Sequence, residues 1–343
     1  MNSSYYIEEG SPFTGRKLAK CQAFLKDSGL TYDDNIQYSI LLYNASGRLC
    51  ATGSRDGNVL KCLAVAPDCQ GEGYLNAVIS RLLTNAHMSG CSHLFLFTKP
   101  QYKELFKDLG FFPILQTEDI LFMENQKDGI NGYLREETKN LPSTAESARI
   151  GAIVMNANPF TLGHQYLIQQ AKAACDVLHV FVLSSRESDF SPEVRLDLVK
   201  KGCADMPGVY IHGGSEYLIS HATFPDYFMK DKDQARTANC HLDLLLFCKY
   251  FKEAFGITDR FVGEEPYCNI TRQYNEAMQK ILPAHGIRVT VIPRKQFAND
   301  AISASRVRRL LKENRLEEIK NLVPETTYAY LCSVSTASSH AAL

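Results

Sequence analysis

Two short segments of this 343-residue chain pair residue types suited to handling phosphate. The first is Asn156-Ala157-Asn158-Pro159-Phe160-Thr161-Leu162-Gly163-His164, which directly follows an apolar run ending at Met155. A small, proline-braced turn feeding a helix leaves backbone N–H groups free at the positive end of the helix dipole, which suits an anion. Thr161 and His164 stand three residues apart at that helix start and can point the same way, so a hydroxyl and an imidazole can both reach the phosphoryl oxygens of a nucleotide. The same pair also fits a plainer role, with Thr161 as a helix cap and His164 as a packed or surface histidine. The second segment, Ile302-Ser303-Ala304-Ser305-Arg306-Val307-Arg308, opens another helix with small hydroxyl residues and sets arginines within one turn. Its N–H groups and hydroxyls can take β- and γ-phosphates, while an arginine offsets the charge that develops as pyrophosphate leaves. An amphipathic helix with a solvated basic face and Val307, Leu310 and Leu311 turned inward fits that segment equally well.

The elements around these segments alternate. Strand-like runs at 150–155, 177–185, 209–213, 260–263 and 288–292 are separated by helical periods from Gly163 to about Cys175, Pro192 to Ala204, about 236–255, and Thr271 to Leu282. That order predicts a doubly wound, five-stranded parallel sheet, with ligands at the carboxyl ends of its strands, after Met155, Ser185, Gly213, Gly263 and Ile292. The first part of the chain differs. Two successive hairpin signals fill Ile36 to Val65, followed by a helical period at Leu75, Val78, Ile79, Leu82 and Leu83, then LFLF at 94–97 and ILFM at 120–123, which predicts an α+β domain. We expect this domain over 1–130, a polar linker over 131–147, the α/β domain over 148–332 and a frayed Ser/Ala-rich tail over 333–343.

Composition bounds what such a chain does. Apolar residues at 45% and charged residues at 22% are ordinary for a globular protein. Thirty-seven basic against 38 acidic residues argue against a nucleic-acid or anionic-membrane binder acting through a bulk field. The neutral total hides a local excess, because eight basic residues face four acidic ones between Arg294 and Lys320. Eleven cysteines, an odd count with no CxxC pair or signal segment, predict reduced thiols used as small apolar residues and a cytoplasmic setting. No apolar run approaches the roughly 20 residues of a membrane span.

Together the two segments resemble the HxGH and ISxxxxR motifs of the nucleotidyltransferase superfamily, with Thr161 in place of the first histidine. Over nearly the whole chain the resemblance narrows to the citrate lyase ligase family. It is carried by MNANPFTLGH, by Ser184-Ser185 with Phe190-Ser191 and Arg195, by the polar-aromatic loop at 217–231, and by Phe261-Val262-Gly263-Glu264-Glu265-Pro266-Tyr267-Cys268 with Thr271-Arg272. In the first domain, Gln70-Gly71-Glu72-Gly73 before an apolar helix resembles the GNAT acetyltransferase signature that holds the pyrophosphate of coenzyme A, although Leu75 stands where that family usually has Gly or Ala.

The resemblance implies a GNAT-like α+β domain followed by a Rossmann-like, HUP-type nucleotidyltransferase domain. It also implies an ATP-dependent acid-thiol ligase. Acetate attacks the α-phosphate of ATP to give acetyl-AMP and pyrophosphate, and the acyl group then passes to the dephospho-CoA-derived thiol of the citrate lyase acyl carrier subunit, releasing AMP. By this resemblance Thr161, His164 and Arg308 are the catalytic residues. ATP is held by Met155, Asn156, Asn158, Phe160, Gly163, Gly263, Glu264, Tyr267, Ser303, Ser305 and Arg306, and the CoA-like arm by Gln70, Gly71 and Gly73. Mg²⁺ is expected with the phosphates, and no protein-bound metal, nucleic acid or membrane partner. Two other functions stay open on the residues alone: adenylation of a pantetheine-phosphate-like acceptor, and non-catalytic nucleotide sensing.

Overall fold

The computed structural model describes residues 5–33, 35–184, 188–218, 232–265, 269–298 and 300–340. Its contacts divide the chain into two compact units, one with residues up to Gly132 together with 232–242, the other with the described residues from Tyr133 to 218 and from Asp243 onward.

The first unit contains β1 (Tyr5–Gly10), α1 (Gly15–Asp27), β2 (Tyr38–Asn44), β3 (Leu49–Asp56), β4 (Val59–Val65), α2 (Tyr74–Met88), β5 (Phe95–Thr98), α3 (Lys103–Asp108), β6 (Phe112–Gln116) and β7 (Leu121–Glu124), and α4 (Gly129–Thr138) follows. Among the described residues one sheet runs β1-β2-β3-β4-β5-β7-β6. Its neighbours are antiparallel except β4 and β5, which are parallel and pair only at Val59 with Phe95 and Leu60 with Leu96. Past Leu60 those two strands share no ladder. The spacing of Val78, Ile79, Leu82 and Ala86 gives α2 one apolar stripe, and the stripe packs with Ile40, Leu42, Leu60 and Leu96 of the sheet.

The rest of the chain alternates through β8 (Ile150–Met155), α5 (Leu162–Ala173), β9 (Val177–Val182), α6 (Pro192–Gly202), β10 (Val209–Gly213), α7 (Lys232–Leu246, of which the residues up to Leu242 group with the first unit), a π-helical turn at Phe247–Phe251, α8 (Lys252–Phe255), β11 (Asp259–Gly263), α9 (Asn269–Ala284) and β12 (Arg288–Ile292). A two-stranded ribbon of β13 (Gln296–Phe297) and β14 (Asp300–Ala301) leads into α10 (Ala304–Lys312), α11 (Leu316–Ile319) and α12 (Glu325–His340). The α/β sheet is fully parallel in the order β10-β9-β8-β11-β12, the five-stranded arrangement that the alternation predicts. Alternation along β9 splits the core. Leu178, Val180 and Val182 join Ile168, Ala171 and Leu198, whereas His179 and Phe181 meet Phe255 on the other face.

The order reverses at β8, and there the sheet opens. β8 pairs with β9 along its whole length but with β11 only at Gly151 with Asp259 and Ala152 with Arg260. Their carboxyl halves therefore leave a crevice at the switch point, where ligands of such sheets bind. Arg149 closes the opposite end through a 2.7 Å ion pair to the buried carboxylate of Asp259.

Two segments differ from their expected character. The polar stretch taken as a linker over 131–147 includes most of α4, whose buried Ile130 and Leu134, one turn apart, are too few to register as a period. The tail expected to fray from 333 continues as helix to His340. Phe261, 1% exposed in the middle of β11, belongs to the core beneath α5 and α6. Phe261→Ala is expected to destabilise the second unit by about 3–5 kcal/mol in urea unfolding, and a loss below about 1 kcal/mol contradicts this packing.

Candidate functional site

The loop after β8 turns sharply. Ala157 has a φ of 48°, a left-handed conformation that side chains rarely adopt, and the Asn158–Pro159 peptide is cis. Side chains on either side hold it. The guanidinium of Arg195, fully buried, donates through Nη1 to the carbonyl of Asn156 at 2.8 Å and to that residue's Oδ1, and through Nε to the carbonyl of Phe190 at 3.1 Å. Asn158 Oδ1 accepts from the backbone N–H of Phe190 at 3.2 Å. Phe160 is fully buried against the backbone of Gly202, and its ring lies 5.9 Å from that of His164.

Thr161 and His164 form a reciprocal capping box at the start of α5. Thr161 Oγ1 accepts from the N–H of His164 at 3.3 Å, while His164 Nδ1 accepts from the N–H of Thr161 at 3.1 Å and lies 2.9 Å from its hydroxyl. A backbone N–H can only donate, so Nδ1 carries the lone pair and the neutral ring keeps its hydrogen on Nε2. Burial and then the positive charge of Arg294 push the imidazole down to about 4. Near neutral pH His164 is thus an uncharged Nε2–H donor. Thr161 is 1% exposed, and its hydroxyl is turned to His164. Its role here is to set the tautomer and direction of the ring.

The start of α10 lies beside the start of α5. Ser303 caps α10 by accepting from the N–H of Arg306 at 3.2 Å, and its hydroxyl is 3.1 Å from that of Ser305. A Cβ on Gly163 would stand 3.0 Å from the carbonyl oxygen of Ile302, so the absence of a side chain there lets the two helix starts approach closely without crowding. Leu162 adds a backbone bond to the carbonyl of Leu322 at 2.9 Å. From α10, Arg308 reaches back to the first turn, donating through Nη1 to the carbonyl of Asn158 at 2.6 Å and pairing through Nε with Asp189 at 2.9 Å. Arg306 instead faces Asp300 at 3.3 Å.

Across the crevice, the N–H of Glu264 donates to the carbonyl of Ile292 at 2.9 Å, and its carbonyl accepts from Arg294 Nε at 2.7 Å. Arg294 also pairs with Glu265. The carbonyl of Gly263 accepts from Asn275 Nδ2 at 3.1 Å. Tyr267 and all of the 217–231 loop beyond Leu218 lie outside the described residues. The structure brings together His164, Gly163, Ser303, Arg308 and the Asn156–Asn158 turn. Met155 and Phe160 are buried and support this group from within the fold. Sequence reasoning did not assign Asp189 or Arg294, and Arg195 entered only as part of a resemblance. Their functional signal is spatial, since each is far in sequence from the group it contacts. Among the described residues no group of three or more His, Cys, Asp and Glu side chains is placed to hold a metal ion.

In the first unit, Gly71 and Gly73 adopt φ values of 84° and 81°, which only glycine takes without strain. Gly73 precedes α2 with no side-chain cap, and Gln70 is exposed beside it. The first amides of α2 therefore lack a capping side chain, a feature compatible with an anion.

Residues 150–331 match the citrate lyase ligase C-terminal domain family. The chain is 40% identical over 322 residues to the [citrate [pro-3S]-lyase] ligase of Escherichia coli (strain K12), covering 92% of this chain and 90% of the relative. The corresponding enzyme of Haemophilus influenzae is 38% identical over 322 residues, covering 92% and 95%, and that of Klebsiella pneumoniae is 40% identical over 325 residues, covering 93% and 94%. Among solved structures, an acyl-CoA N-acyltransferase from Pseudomonas aeruginosa covers 36% of this chain and all of its own at 13% identity and a TM-score of 0.32, a likeness too slight to carry an argument.

The depressed imidazole gives a direct expectation. From about pH 6.5 down to about 4 the unfolded chain takes up a proton that folded His164 refuses, so this residue's contribution to stability is full above pH 6.5 and is lost through that window as the pH falls. The His164 ring resonance, assigned by its disappearance in His164→Gln, is expected to titrate near pH 4. A midpoint at 6 or above contradicts the site as described.

Proposed function

The chain belongs to the citrate lyase ligase family, and from that premise we propose that the crevice at the β8–β11 switch point makes acetyl-AMP from ATP and acetate. A ligase of this family uses ATP to activate citrate lyase by acetylating it. The observation that carries the site assignment is the pair of helix starts joined at Gly163 and Ile302, one bearing a neutral His164 and the other Arg308.

In this reading ATP lies across the crevice with its adenine toward the loop that begins at Gly263 and Glu264 and its phosphates between α5 and α10. A carboxylate oxygen of acetate attacks the α-phosphorus, and the bond from that phosphorus to the oxygen bridging it to the β-phosphate breaks. Pyrophosphate leaves with both bonding electrons. His164 Nε2–H donates to a non-bridging α-phosphoryl oxygen as charge builds on it, and because the ring is already neutral and fixed by Thr161, no proton has to move first. Arg308 offsets charge on the departing pyrophosphate, and Ser303, Ser305 and Arg306 at the α10 start take its outer oxygens. The acceptor thiolate then attacks the acetyl carbonyl carbon and AMP departs.

The residues described around the crevice do not make a resident metal site, since Asp189 is already paired with two cations. Mg²⁺ is therefore assigned to the substrate, arriving on the triphosphate with water completing its coordination. The dephospho-CoA-derived thiol of the citrate lyase acyl carrier is the acceptor in this reading. The uncapped start of α2 after Gly73 supports the first unit as the receiver of that arm's phosphates. A cytoplasmic setting belongs to the same reading.

Labelled pyrophosphate is expected to enter ATP only when acetate is present, and His164→Ala is expected to slow that exchange by about 10²–10³-fold. Exchange that needs a phosphorylated acceptor instead of acetate, or a His164→Ala enzyme within threefold of normal, contradicts the assignment.

A further inference from the structure

The carboxylate of Asp189 sits among basic and amide donors at the proposed polyphosphate site. Asp189 Oδ2 lies 2.9 Å from Arg308 Nε and 3.4 Å from Asn158 Nδ2, and its Oδ1 lies 3.6 Å from Lys312 Nζ. The donors come from two sides. Asn158 belongs to the turn before α5, whereas Arg308 and Lys312 are four residues apart on α10 and so share a face. Arg308 also donates to the carbonyl of Asn158 at 2.6 Å, which binds the two sides together. Two cations and an amide converging on one carboxylate form a set that recognises oxyanions generally. With 38% of its side chain exposed, Asp189 is not locked in place by burial, and ion pairs this open are weak enough to exchange.

We propose that Asp189 is an internal counter-anion of the polyphosphate site. In the free protein it occupies the Arg308, Lys312 and Asn158 donors. It yields them to the outer phosphates of ATP and takes them back as pyrophosphate departs. The site then never presents two unpaired cations, and its hold on pyrophosphate is weaker than the cations alone would give, which favours product release. This inference rests on the adenylation reading and adds the residue that sets phosphate affinity in that same site.

The test is calorimetric titration of inorganic pyrophosphate, with magnesium, into the full-length protein and its Asp189→Asn variant, which keeps the side-chain shape and removes the charge. Pyrophosphate is expected to bind about three- to tenfold more tightly to the variant. KM for ATP in acetate-dependent exchange should fall by a similar factor, and the gain should shrink when Lys312→Met is added. Unchanged or weaker pyrophosphate binding overturns the proposal, and weaker binding with a raised magnesium requirement does so by making Asp189 a metal ligand. Should circular dichroism show Asp189→Asn misfolded, Asp189→Ser is measured against the same criteria. Calorimetry needs no acetate, so tighter pyrophosphate binding in a protein without acetate-dependent exchange would support the counter-anion and remove the ligase reading.

Discussion

The approach of two helix starts at Gly163 and the carbonyl of Ile302 is the constraint from which the rest of the second unit's site follows. Each helix start carries roughly half a positive charge from its aligned peptides, so holding two side by side is unfavourable until an anion lies between them. The protein meets this opposition with packing. Ile302, Val307, Leu310, Leu322 and Phe190 form a small apolar cluster that includes Leu162, and the Leu162 to Leu322 backbone bond ties the first turn of α5 to the chain beyond α11. A side chain at position 163 would press on that carbonyl and push the two starts apart by a few tenths of an ångström.

Given that approach, the reciprocal bonds of Thr161 and His164 do two things at once. They satisfy amides that a helix start leaves open, and they fix which ring nitrogen carries hydrogen. The neighbourhood then keeps the ring uncharged, with Arg294 adding to the effect of burial. In the proposed adenylation this local folding signal becomes a preorganised donor, at no cost in proton rearrangement when charge develops on substrate. The buried Arg195 serves the same end from behind by holding Asn156 and Phe190, which bound the strained turn at Ala157.

Much of this was legible in one dimension. Strict alternation of strand and helix periods announced the parallel sheet, and the two motifs fell at helix starts beside its switch point, where α/β folds place ligands. The helix α4 was missed because two buried residues make too short a period, and the ribbon of β13 and β14 because its strands are two residues each. The contact between the Thr161 hydroxyl and His164 was not legible, since sequence spacing allows that hydroxyl to face outward or toward the ring. Asp189 could not be inferred from pattern at all. Its meaning comes from Arg308 and Lys312, more than a hundred positions later.

The central claim is chemical: the crevice joins acetate to the α-phosphorus of ATP before any thiol is involved. Acetate labelled with ¹⁸O in both carboxylate positions tests it most directly, because an oxygen that attacks phosphorus stays with AMP when the thiol takes the acetyl group. With ATP, labelled acetate and the acceptor thiol, the account requires AMP carrying one ¹⁸O per turnover, read by mass spectrometry. Unlabelled AMP formed at the rate of thioester formation would contradict it.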